Sequence, residues 1–127
     1  MYRFSQRLAW VAGVVLPVGE TLRRWGTWWD DPPAYLDDVL IGACLLAAAV
    51  VSRRDSQRGH VTLAGAWGLA CGIGFMSLTS NIMTIEQPDP SGVSGTVAVG
   101  VKALMMLIGL AALAGALRGP AEEKGRR

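Results

Sequence analysis

Histidine occurs once in this 127-residue chain and cysteine twice, too few for the sites those residues usually build. His60 alone can neither ligate haem on both faces nor complete a zinc site. Cys44 and Cys71 both fall inside apolar segments, so they say nothing about the redox state of a compartment. No G-x-G-x-x-G stretch, phosphate-binding loop or nucleophile–base pair is present, which removes the common nucleotide-binding and hydrolase signatures. Charged residues make up only 17% and the net charge is +2. That small excess is no nucleic-acid signal, because the bases sit at the edges of apolar stretches. No internal repeat stands out. Arg3 and Arg7 followed by Leu8–Val18 look like a signal peptide, but Gly19, Glu20, Thr21 and Leu22 provide no A-x-A-like cleavage site. The first apolar stretch is therefore expected to be a retained helix.

What the chain does have is apolar length. About half of it, 51%, is hydrophobic, and the mean hydropathy of +0.34 averages polar ends with strongly apolar segments. Nine of the twelve basic residues lie in three places. Arg3 and Arg7 precede the first apolar stretch. Arg53, Arg54 and Arg58 separate the second from the third. Arg118, Lys124, Arg126 and Arg127 follow the fourth. The other two connections are acidic or acid-rich. Basic flanks mark the cytoplasmic side of a membrane protein. The expected fold is an all-α integral membrane protein, one domain of four transmembrane helices in an up-down antiparallel bundle. Both termini are expected in the cytosol, at the plasma or inner membrane. At roughly 20 residues per span, four spans leave no room for a soluble domain.

The spans are expected near 4–22, 34–51, 60–80 and 95–117. Pro17 weakens or kinks the first. Trp25, Trp28, Trp29 and Tyr35 surround Asp30, Asp31, Pro32 and Pro33, a mixture suited to the outer interface, where the two prolines should end any helix. Ser52–Gly59 reads as a short basic turn, Asn81–Ser94 as an outer loop, and 118–127 as a frayed, disordered charged tail. Small residues recur at four-residue spacing as Ala64, Gly68 and Gly72, and again as Ala111, Gly115 and Gly119, while Gly42 and Ala49 share a face. Such rows let helices approach closely in lipid.

The most informative side chains are ionisable groups the spans cannot avoid immersing. Glu20 lies thirteen residues beyond Arg7, roughly 20 Å in at 1.5 Å per residue. Asp38 and Asp37 lie fifteen and sixteen residues from Arg53, and Lys102 sixteen from Arg118, about 22–24 Å in. In a hydrocarbon core about 30 Å thick, all four share the outer third. A charge there costs about 1–3 kcal/mol, which pairing relieves. Arg23 and Arg24 follow Glu20 at i+3 and i+4. Lys102 has no acid in its own span, so its partner is expected on another helix. The expected cluster is Glu20, Asp37 and Asp38 against Arg23, Arg24 and Lys102. The plain reading of these groups is structural: Lys snorkels, and the aspartates complement the start of the second helix. The functional reading is a polar pocket opening outward.

Asp30-Asp31 and Asp37-Asp38 could hold a divalent cation, but no basic phosphate-binding loop accompanies them. Cys44 and Cys71, near mid-bilayer on adjacent helices, could face one another, and with Met76, Met83, Met105 and Met106 could make a soft-metal site. Both cysteines read more simply as small buried hydrophobes. No metal, cofactor or catalytic residue is assigned. Three function classes fit. The favoured one is a non-enzymatic accessory or scaffolding subunit of a membrane complex, its partners the bilayer and other membrane subunits or itself, with no nucleic acid. The others are a small oligomeric transporter or channel using the charged pocket, and an intramembrane enzyme acting on lipid or isoprenoid substrates through its aspartates.

Overall fold

The computed structural model describes residues 1–26, 32–87 and 92–120. Among them the chain is all-helical: α1 (Tyr2–Arg23), α2 (Pro32–Arg54), α3 (Ser56–Met83) and α4 (Gly95–Leu117). Trp28, Trp29, Asp30, Asp31, Pro88, Asp89, Pro90, Lys124, Arg126 and Arg127 lie outside the described residues. Three helices are long and apolar enough to cross a membrane, over Tyr35–Arg54, Ser56–Met83 and Gly95–Leu117. The exception is α1. Its 22 residues suffice in length, but Arg3, Gln6, Arg7, Glu20 and Arg23 confine its charge-free apolar run to the middle.

Two boundaries differ from the sequence expectation, each for a local reason. Pro32 and Pro33 do not end a helix; they open α2. A proline in the first turn gives up a backbone N–H that has no intrahelical acceptor, and its fixed φ already suits the helix. Nor is Ser52–Gly59 a turn throughout. α2 runs to Arg54 and α3 begins at Ser56, so Asp55 alone breaks the helix, at φ −141° and ψ 109°. Its carboxylate accepts from the backbone N–H of Gln57 at 2.9 Å and of Arg58 at 3.1 Å, capping α3. Gly59 then makes the corner possible. A Cβ on it would lie 2.2 Å from the Cα of Ser52.

Successive helices pack on one another, and α1 also meets α4. Glycine decides where. Pro17 gives no N–H to α1, so the carbonyl of Gly13, four residues back, loses its intrahelical donor. Gly42 of α2 lies on that carbonyl: a Cβ there would stand 2.9 Å from Gly13 O and 2.8 Å from Pro17 Cδ. α1 continues through Pro17 without a break. Between α3 and α4, Cys71 Sγ would be 3.2 Å from a Cβ at Gly109. Cys71 therefore packs against α4, and both cysteines are free thiols. Gly115 of α4 lies against the carbonyl of Met1 and the side chain of Ser5.

The core shared by the four helices is small in volume. It consists of Ala9, Ile41, Leu45, Ala48, Ala49, Leu63, Ala66, Trp67, Ala112 and Ala116. The larger apolar side chains instead point outward, among them Val11, Val15, Leu22, Phe75, Met76, Val97, Val101, Leu104 and Leu107. Of the small-residue rows, Gly42, Ala49 and Gly115 pack inside the chain. Gly68 and Gly72 do not: both are exposed, with nothing within 4 Å of a Cβ at either. Periodicity finds a face of a helix without saying what covers it.

Candidate functional site

The C-terminal end of α1 carries the polar cluster. Glu20 is 8% exposed although it sits in the penultimate turn, where the helix dipole disfavours a negative charge. Its compensation is local. Arg23 Nη2 donates to Glu20 Oε1 at 2.9 Å, and Arg24 Nε donates to the same oxygen. Both pairs use helical spacing, and both cations suit a helix C-terminus. The helix stops at Arg24, and Gly26 at φ +87° turns the chain away, a conformation that side-chain-bearing residues resist.

α2 brings two further groups to this end. Tyr35 Oη and Thr21 Oγ1 share a hydrogen bond of 3.1 Å, and Thr21 Oγ1 also donates to Pro17 O at 2.6 Å. Asp38, one turn beyond Tyr35, is half-buried on the same side of α2. It lies in the electrostatic field of Glu20, Arg23, Asp37 and Arg24. Asp37 is exposed. Three acids and two arginines thus gather where α1 and α2 meet.

Lys102 is not joined to them. Its Nζ donates to Ser77 Oγ of α3 at 2.9 Å, and among the described residues it forms no ion pair. The anticipated three-against-three balance is divided into a charged α1–α2 group and a Lys–Ser pair between α3 and α4. The hydroxyl on the neighbouring helix accepts one of the ammonium's three N–H groups. Sequence reasoning did not place Thr21, Tyr35 or Ser77 in the cluster, Tyr35 being read only as an interface aromatic. Tyr35 had a signal, its i−3 relation to Asp38, whereas Ser77 had none.

This division has a measurable consequence. Lys102→Met and Glu20→Gln are expected to act additively on stability, within about 0.5 kcal/mol, in a double-mutant cycle read by thermal melting in detergent. A coupling above about 1 kcal/mol would restore one continuous cluster.

Chemically, the α1–α2 group can hold and orient charge. Among the described residues no three His, Cys, Asp or Glu side chains gather in a metal-holding group. Asp37 and Asp38 therefore stand without a third ligand there, and Asp30 and Asp31 fall outside the described residues. No family model, curated protein or solved structure matches this chain.

Proposed function

We propose that the chain is a four-span integral membrane protein, an up-down antiparallel bundle with both termini in the cytosol, serving as a non-enzymatic accessory or scaffolding subunit of a membrane complex. The membrane part of the reading is supported by the inverted packing. Six of the ten core residues are alanine, while Val, Leu, Phe and Met are exposed on three helices long enough to span. Water would not tolerate that surface, whereas lipid requires it. α1 joins the membrane because its outer acid is neutralised in place and its bases sit at its ends.

One observation carries the subunit role. Val61, Gly65, Gly68, Gly72 and Phe75 of α3 follow one another at alternating four- and three-residue steps, and all are exposed. That spacing makes a continuous seam, and nothing lies within 4 Å of a Cβ at any of the three glycines. Three glycines facing lipid tails gain nothing, but a partner helix could approach their backbone closely. The outer Glu20–Arg23–Arg24 group is already paired along α1, and the Thr21–Tyr35 hydrogen bond ties that end of α1 to α2.

The test is a photo-crosslinking residue at position 68 or 72, activated in native membranes and followed by mass spectrometry. One recurrent heterologous membrane protein is expected from both positions and not from position 104 on α4. A crosslink only to a second copy, together with ion or solute flux in proteoliposomes of the pure protein, would overturn the subunit reading in favour of an oligomeric transporter.

A further inference from the structure

The two ends of the molecule handle arginine differently. At the outer end, Arg23 and Arg24 share the Glu20 carboxylate. The opposite end gathers Arg3 and Arg7 of α1, Arg53 and Arg54 of α2, Arg58 of α3, and Arg118, which caps α4. Among the described residues only Arg58 has a carboxylate there, Asp55 at 3.6 Å, and that carboxylate already caps α3. Five guanidinium groups remain without an acid partner among the described residues.

One of the five is held in a built seat. The guanidinium of Arg53 lies over the ring of Trp10, 4.8 Å from its centroid. The register is locked one residue away: Gln6 Nε2 donates to Ser52 Oγ at 2.9 Å, and Ser52 Oγ donates to Ala49 O at 2.8 Å. Arg3, Arg7 and Trp10 follow at four- and three-residue steps, so they share a face of α1, with both arginines exposed. A guanidinium seated over a ring can still offer N–H groups to a bidentate oxyanion.

We propose that the α1–α2 surface at this end, with Arg53 seated over Trp10 and Arg3 and Arg7 on the Trp10 face of α1, binds the phosphodiester headgroup of an anionic phospholipid. The argument is charge complementarity: a guanidinium seated over Trp10 without an acid partner among the described residues, with Arg3 and Arg7 on the Trp10 face of α1, at the level where headgroups lie and where the cytoplasmic leaflet is negative. A Trp floor also suits the headgroup layer. The proposal rests on the membrane reading above.

The purified protein in a neutral detergent is titrated with phosphatidylglycerol or phosphatidylcholine, and retained lipid is measured by native mass spectrometry. Phosphatidylglycerol should bind about tenfold more tightly, the scale of one charge-assisted hydrogen bond. Arg53→Gln should remove most of that preference. Arg53→Lys, which keeps the charge and loses the plane, should fall between. Arg58→Gln, the same change of net charge on α3, should alter it less than about twofold. Equal loss in Arg53→Gln and Arg58→Gln would reduce the effect to a diffuse field and overturn the seat. So would equal binding of the two lipids, or displacement of phosphatidylglycerol by inorganic phosphate at matched concentration. Failure of the membrane reading shows separately, as protein that stays dispersed without detergent or as reporter fusions that place Asp55 outside the cell.

Discussion

Gly59→Ala is expected to destabilise the folded chain by about 3 kcal/mol, at the upper end of the usual cost of overpacking. In thermal melting in detergent, that corresponds to a fall of roughly 10 °C for a chain of this size. The added methyl would stand 2.2 Å from the Cα and 2.7 Å from the Cβ of Ser52. No rotamer change relieves a clash with backbone. The corner between α2 and α3 must open, and opening pulls Asp55 from the N–H groups of Gln57 and Arg58. It also strains the Gln6–Ser52 bond that ties α1 to α2. Gly68→Ala is the control. It lies in the same helix with nothing within 4 Å of the new methyl, so in the isolated protein it should be neutral, or stabilising by up to about 1 kcal/mol through helix propensity. Equal melting of the two variants would show that α2 and α3 do not meet as closely as described.

That contrast also shows what a sequence of this kind reveals. Both positions are glycines, Gly68 in an apolar stretch and Gly59 in the basic Ser52–Gly59 segment, and spacing alone ranks Gly68 above Gly59, because Gly68 belongs to a four-residue row. The structure reverses the order. Helix positions were legible because apolar length and basic flanks are strong, additive signals. The α4 bounds 95–117 agree with the expectation, and α3 was underestimated by a few residues at each end. The corner was not legible, because Asp55 reads as one more charge in a basic turn until its carboxylate is seen to cap α3. The Glu20 pairs with Arg23 and Arg24 follow from helical spacing within one element. The Lys102–Ser77 bond joins two helices, and nothing in the order of residues sets the rotation of one helix against another. Local chemistry was readable where the geometry of a single helix fixes it. Contacts between helices needed the fold.

Glu20→Gln is expected to cost about 2 kcal/mol, less than the 3–5 kcal/mol typical of breaking a fully buried ion pair. The discount follows from exposure. Glu20 is almost wholly buried and the Arg24 side chain is 15% exposed, but the Arg23 side chain is 39% exposed and partly screened by solvent. The substitution keeps volume and hydrogen-bonding shape, so the loss reports charge rather than packing. It also leaves Asp38 facing Arg23 and Arg24 with one negative neighbour fewer. Asp38 should then take a larger share of the compensation, and Asp38→Asn in the Glu20→Gln background should cost more than Asp38→Asn alone, by about 1 kcal/mol. The reading is thermal melting of the four proteins in one detergent at low ionic strength. If the double variant only sums the two single losses, Asp38 does not share the arginines with Glu20. The α1–α2 group then reduces to a single helix neutralising its own C-terminal acid.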